Sequence, residues 1–255
     1  MSQPQKLKQL VVAEFSSPAV VEKYAKEATQ ELWASEEILI DEYFKSGSSI
    51  LDLGCGTGRT TLPLFNKGYK IIGVDLTPRF VAIAKIIAAE QGKTINYQEG
   101  DATNLHFNEA SFNNVLFSFN GWTMIPSETE RLNALQEIWR VLMPGGHFIF
   151  TTHKRIWHGY FWLWFKQGIR IYILKPLGFK IDEIEFGDVF FKRDSSAPYL
   201  TKQFIHIPNV NRVKMQLEQI GFLVVLMKLR NEIVDRDKKL PSRDCMFYVC
   251  QKPFV

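Results

Sequence analysis

Ile50-Leu51-Asp52-Leu53-Gly54-Cys55-Gly56-Thr57-Gly58-Arg59 is the stretch that decides how this chain is read. Its first four residues are short, mainly aliphatic and bounded by polar residues and glycine, the pattern of a buried strand. The Gly-X-Gly-X-Gly run predicts a turn whose missing side chains let the backbone approach a ligand closely. Arg59 to Asn66 reads as a helix, so its unpaired N–H groups point back at the turn. A second strand over Lys70 to Val74 ends at Asp75, suited to accepting hydrogen bonds from two vicinal ribose hydroxyls. Strand, glycine turn, helix, strand and acid make the nucleoside-binding half of an α/β sheet.

Upstream, residues 1–17 read as a flexible arm, polar and broken at Ser16-Ser17-Pro18. From Pro18, Val20, Val21, Tyr24, Ala25, Ala28 and Leu32 recur at three- and four-residue steps, predicting a helix that Trp33 closes. A second helix runs from Ser35 to about Lys45, so cap helices occupy residues 18–46.

Downstream, Thr77-Pro78 starts a helix with periodicity from Phe80 to Glu90, and Gly92 stops it. A third strand, Ile95 to Gln98, runs into Glu99-Gly100-Asp101-Ala102, and a fourth, Asn114 to Phe119, into Asn120-Gly121-Trp122. Ser127 and Glu130 form a capping-box pattern for a helix through Ala134, Ile138, Trp139 and Leu142. Pro144-Gly145-Gly146 ends that helix and feeds a fifth strand, His147 to Thr152. Strands alternating with helices at this spacing mean a mainly parallel sheet covered on both faces. The alternation pauses over residues 154–208, which hold an aromatic, basic segment and two strand-like runs, Asp188 to Phe191 and Lys202 to Ile207. It resumes with a helix over Val210 to Ile220 and strands over Phe222 to Met227 and Cys245 to Gln251. Residues 18–255 thus read as one domain, with 154–208 as a substrate lid inserted between the fifth strand and the last helix.

A chain of 255 residues supports a sizeable core, and 23% charged with 46% hydrophobic residues gives no reason to expect disorder. With 31 basic against 27 acidic residues, charge alone does not argue for nucleic acid. Cys55, Cys245 and Cys250 form no disulfide framework and no metal-ligand spacing, so no metal is expected. The start MSQPQKLKQL has no apolar leader, and no run is long enough to span a bilayer. The expected location is the cytoplasm.

The glycine turn by itself admits several nucleosides. A P-loop requires Gly-x4-Gly-Lys-Ser/Thr, whereas Arg59 follows Gly58 here. A dinucleotide fingerprint requires glycine where Arg59 stands. Taken in order, ILDLGCGTGR, GVDLTP, EGDATNL, SFNGW and LMPGGHFIFTTH resemble the class I S-adenosylmethionine-dependent methyltransferases. The resemblance spans residues 20–153 and 210–252, and the run YAKEATQELWASEEILIDEYF looks like a subgroup of small bacterial enzymes. One departure is Phe112-Asn113-Asn114-Val115, where the family often carries Phe-Asp-x-Val.

The resemblance implies a Rossmann-like, mainly parallel seven-stranded sheet and a site along its carboxyl edge. Gly54, Cys55 and Gly56 would pass under the methionine part of S-adenosylmethionine. Asp75 would take the ribose hydroxyls and Leu76 would pack on the adenine. Asp101 would accept from the adenine amino group while the Ala102 N–H reaches a ring nitrogen. Ser118 and Asn120 would lie beside the reactive methyl, and Tyr24 and Trp33 would close the site, although both also read as helix core. Asp52 reads as a structural acid and Cys55 as a small turn residue.

Methyl transfer draws mainly on proximity and orientation, and leaves S-adenosylhomocysteine. An acceptor that must lose a proton would want a base, for which His153 and His206 are candidates beside their plainer reading as surface or lid residues. Trp157, Phe161, Trp164 and Phe165, with Lys154, Arg155, Lys166 and Arg170 interleaved, admit several readings. The first is a pocket for a small or medium-sized acceptor, then membrane-surface contact through 157–165, then an RNA-facing patch of a tRNA-modifying enzyme. The rings also suit plain packing of the lid. A binding module without transfer activity is the remaining alternative. Neither the acceptor atom nor an oligomeric state is legible.

Overall fold

Aliphatic residues alternate across the central strands, so each strand feeds two cores. In the computed structural model, which describes residues 2–191, 203–235, 237 and 245–254, β1 (Ser49–Leu53) turns Leu51 and Leu53 into one layer and Ile50 into the other. Beside it lie β2 (Lys70–Asp75), β3 (Asn96–Glu99), β4 (Phe112–Phe117) and β5 (Leu142–His153), joined by parallel pairings. The insertion contributes β6 (Asp188–Phe191) and β7 (Gln203–His206), a separate antiparallel pair. The main sheet closes with β8 (Leu223–Leu229) and β9 (Cys245–Gln251), in the order β3-β2-β1-β4-β5-β9-β8, with β9 antiparallel to both neighbours. The expected seven-stranded, mainly parallel sheet is what the chain forms.

Around the sheet the helices are α1 (Gln3–Phe15), α2 (Pro18–Glu27), α3 (Ala34–Tyr43), α4 (Thr61–Asn66), α5 (Pro78–Glu90), α6 (Glu128–Val141), α7 (Phe161–Ile169), α8 (Val210–Ile220) and α9 (Arg230–Ile233). Leu51, Val115, Phe148 and Phe150 lie in the core under α6 and α8, and Leu116, Ile149 and Val249 in the core under α3 and α5. No helix among the described residues is long and apolar enough to cross a membrane.

Three local differences from the sequence reading have physical causes. The arm expected over residues 1–17 is largely helix α1. Ser2 and Gln5 form a capping box, Leu7 and Glu14 are buried, and Gln203 of β7 donates to Glu14. Glycine and proline do not delay β5 until His147. The strand leaves α6 directly at Leu142, a register shift against β4 takes up Pro144-Gly145-Gly146, and the Gly145 N–H donates to the Lys252 carbonyl at 2.7 Å. Lastly, Trp33 is not the end of a helix but the cap of α3, its N–H donating to Glu36 at 2.8 Å. Of the run Lys202 to Ile207, Gln203–His206 is strand, and Lys202 lies outside the described residues.

Candidate active site

Strand order reverses between β1 and β4, the point at which an open α/β sheet leaves a crevice at its carboxyl edge. A cavity of about 380 Å³ opens there. Gly54, Gly56, Asp75, Leu76, Asp101, Ala102, Ser118 and Tyr24 all line it, so eight of the expected cofactor residues converge on one space.

The glycine turn is held from three sides. Asp52, buried in β1, accepts from the Thr60 and Thr61 hydroxyls, both at 2.6 Å, and burial pushes its carboxyl up to about 6. It ties the turn to α4 and does not face the cavity. Asp75 accepts the Gly56 N–H and the Thr77 N–H, each at 2.8 Å, which fixes the turn against the end of β2. Thr57 donates its hydroxyl to the Tyr24 carbonyl at 2.7 Å, anchoring the turn to α2.

These residues fit a nucleoside. At Gly54 (φ 60°) a Cβ would press to 2.7 Å from the Phe117 ring. At Gly56 (φ 56°) a Cβ would meet only the Phe80 edge, at 3.9 Å, and otherwise project into the cavity itself. Burial raises the Asp75 carboxyl, and the two backbone donors oppose that shift. Each oxygen retains a lone pair for a vicinal diol.

The Asp101 side of the cavity carries a partner that sequence reading missed. The Asp101 carboxylate accepts from Thr103 N and Oγ1 at 3.0 and 2.8 Å and is ion-paired with Lys8 of α1. Burial alone would raise that carboxyl, but Lys8 and Thr103 hold it below the usual range. Lys8, Val11 and Phe15 all line the cavity, so α1 is one of its walls. Their only signal was the Ser2-x-x-Gln5 capping pattern. Deleting residues 1–16 is expected to weaken S-adenosylmethionine binding about tenfold by removing this wall, measurable by equilibrium dialysis. Unchanged affinity would place α1 outside the site.

Behind the cavity, Glu36 of α3 is fully buried and accepts both Arg59 guanidinium nitrogens, at 2.9 and 2.6 Å, and the Ser118 hydroxyl. The guanidinium carbon lies 4.7 Å from the Trp33 ring centre and 5.4 Å from that of Phe119. Phe119 and Asn120 both have left-handed backbones, φ 55° and 60°, which is strained for a phenylalanine. The turn sets the Phe119 ring 5.2 Å from Trp33 and 6.1 Å from Tyr24.

The other expected residues stand elsewhere. Trp33 packs behind Phe119, and Cys55 is buried beneath the turn, where burial raises its thiol. Asn120 turns away from the cavity: its N–H donates to the Thr151 hydroxyl at 2.7 Å, and its amide nitrogen lies 3.4 Å from His153 Nε2. His153 therefore sits beside Asn120 and does not line the cavity. His206 belongs to a separate cavity of about 770 Å³ that also includes Arg131 and Arg155. It lies 2.9 Å from Asp188, and burial with the nearby Arg131 charge pushes its imidazole down. Arg131 holds Glu185 at 2.8 Å, so this cluster braces the insertion and its Arg pair makes a cation unwelcome.

Comparison with known proteins agrees with this geometry. A family model described as a methyltransferase domain matches residues 50–146. The chain is 30% identical over 186 residues to a demethylmenaquinone methyltransferase of Lactococcus lactis, covering 71% of this chain and 68% of that one. It is 29% identical over 182 residues to the enzyme of that name from Thermus thermophilus, covering 71% and 76%. Among solved structures, an S-adenosylmethionine-dependent methyltransferase of Methanosarcina mazei shares the fold with a TM-score of 0.70 and 22% identity, over 89% of this chain and all of that one (100%). One from Clostridium acetobutylicum gives 0.61 and 16%, over 86% and 90%.

A glycine turn locked to the acid at the end of β2, at the switch point of this sheet, has the form of a nucleoside site in an α/β enzyme. The chain belongs to the class I S-adenosylmethionine-dependent methyltransferases. Its cofactor is S-adenosylmethionine and its reaction is methyl transfer.

Proposed function

We propose that the methyl acceptor is a small or medium-sized molecule with a flat, apolar ring system. The observation that carries this reading is the cavity wall. Phe15, Tyr24, Phe119, Met124 and Ile125 line the same space as Asp75 and the glycine turn, an apolar surface with a few polar anchors. The relatives named for demethylmenaquinone point to the same chemical class. S-adenosylmethionine supplies an electrophilic methyl group when bound. The chain's part is to hold the acceptor in line with it, and exclusion of water by α1 and the rings around Phe119 assists that. Asp75 and the Gly54–Gly56 backbone bind the cofactor in this reading, with Leu76 and Ala102 at its base.

A tRNA acceptor is disfavoured by what the basic residues of the insertion do. Arg155 donates to the Ile207 and Phe186 carbonyls, and Arg170 is paired with Glu183. Two cations of the expected RNA patch are thus spent on the protein's own backbone and side chains. Three cysteines, all buried, suit a reducing compartment, and we place the protein in the cytoplasm.

Transfer of labelled methyl from S-adenosylmethionine tests the acceptor. The panel would hold demethylmenaquinone in its reduced dihydroxy form, simple hydroxyaromatics, polar amines and bulk tRNA. Label in the ring compounds is expected, because an electron-rich ring can attack a methyl without a strong base. Label confined to tRNA or amines would overturn the reading.

A further inference from the structure

Helix α7 is held on the protein by its polar and least exposed side. Trp164 donates its indole N–H to the Ile156 carbonyl at 2.7 Å, and Gln167 accepts the Gly187 N–H at 2.9 Å. Trp164, Gln167 and Ile171, at steps of three and four, are the stripe that faces inward. Apart from Lys166, the outward side of the helix is largely apolar. Of the 17 large hydrophobic residues exposed among the described ones, 11 fall between Ile156 and Phe179. Trp162 and Tyr172 are each 67% exposed and Leu177 70%. Phe161 and Phe165 lie 6.0 Å apart, and Trp162 and Phe165 5.7 Å, so these rings form one continuous patch.

Such a surface costs solubility unless something covers it. Its rim says what. Residues 154–181 contain six lysines and arginines and no aspartate or glutamate, and of the six Arg155, Arg170 and Lys175 hold groups of the insertion itself. Lys166 in the last turn of α7 and Lys180 beyond it are exposed. Lysine stems beside outward Trp, Tyr and Phe match the interface of an anionic bilayer, where rings enter the headgroup layer and ammonium groups meet phosphates.

We propose that this face docks on an anionic lipid surface, with α7 lying in the headgroup plane. The docking goes beyond the acceptor reading and does not rest on it. β7 of the same insertion packs on α1 and on the Gly121–Met124 turn, both of which contribute to the cavity wall.

Flotation of the full chain with vesicles of equal parts phosphatidylglycerol and phosphatidylcholine tests the docking. The protein is expected to float with these vesicles, and far less with phosphatidylcholine alone. The double variant Trp162→Ser, Phe165→Ser should bind about tenfold or more weakly. The variant Lys166→Glu, Lys180→Glu should lose a similar factor, with affinity falling as salt rises. Both should keep S-adenosylmethionine binding in dialysis, showing that the fold and the cofactor site are intact. Failure of the unaltered chain to float, or equal flotation of the variants, would overturn the proposal. So would a dimer in analytical ultracentrifugation that the ring substitutions dissociate, since a second copy would then be the occupant.

Discussion

Glu36→Ala is expected to cost about 3–5 kcal/mol of folding stability, the range for breaking a buried ion pair from one side. Glu36 is fully buried and gathers the Arg59 guanidinium, the Trp33 N–H and the Ser118 hydroxyl. Burial alone would lower the Arg59 guanidinium, and the Glu36 carboxylate more than offsets that. Without the carboxylate, a cation 9% exposed is left between Trp33 and Phe119 with no counter-charge. Three other elements lose their tie at once: the cap of α3, the end of the glycine turn and the end of β4. Urea unfolding should show the midpoint fall, and cofactor affinity should fall with it. The double variant Glu36→Leu, Arg59→Met should recover much of the stability, because an apolar pair of similar size needs no desolvation. A loss under about 1 kcal/mol in Glu36→Ala would show the pair to be incidental.

The contrast between Glu36 and Asp75 shows what was legible in the sequence. Asp75 ends a strand and stands at a readable distance from a glycine run, so its place follows from local pattern. Glu36 sits inside an amphipathic helix among other acids and looks like a solvated charge. Only tertiary contact with Arg59, 23 positions away, makes it a buried hub. Arg59 served in the sequence only to exclude a P-loop and a dinucleotide site. Residues 1–17 show the same limit: polar composition suggests a loose arm, whereas a capping box and two buried residues fix α1 against β7. Asn120 failed for a different reason. Its position after β4 is right, but left-handed backbone at Phe119 and Asn120 aims the Asn120 N–H at the Thr151 hydroxyl, leaves its side-chain amide beside His153 and brings Phe119 to the cavity instead. The seven-stranded, mainly parallel sheet is legible, because period-two burial and glycine turns are local, while the starts of β4 and β5 lie earlier than the sequence suggests. The apolar wall of the cavity is not legible, because it is assembled from α1, α2 and the turn after β4.

Asp75 carries the second large effect. Asp75→Ala would remove the acceptor proposed for two ribose hydroxyls, and hydrogen bonds to a charged group contribute about 1.5–3 kcal/mol each. It also frees the Gly56 and Thr77 N–H groups, loosening the turn that must stay close to the ligand. Affinity for S-adenosylmethionine should therefore fall about 100-fold or more. Asp75→Asn keeps the shape and one acceptor, and should lose less. Thermal unfolding without ligand separates a binding defect from a folding one, and added cofactor should raise the melting temperature of the unaltered chain but hardly that of Asp75→Ala.

Equilibrium dialysis of labelled S-adenosylmethionine against the unaltered chain and Asp75→Ala puts the central claim to its most direct test. Saturable one-to-one binding is predicted for the former, displaced by S-adenosylhomocysteine and not by NAD, with at least about a 100-fold loss in the latter. Absence of saturable binding, or equal affinity in the two proteins, would contradict a cofactor site at the ends of β1 and β2.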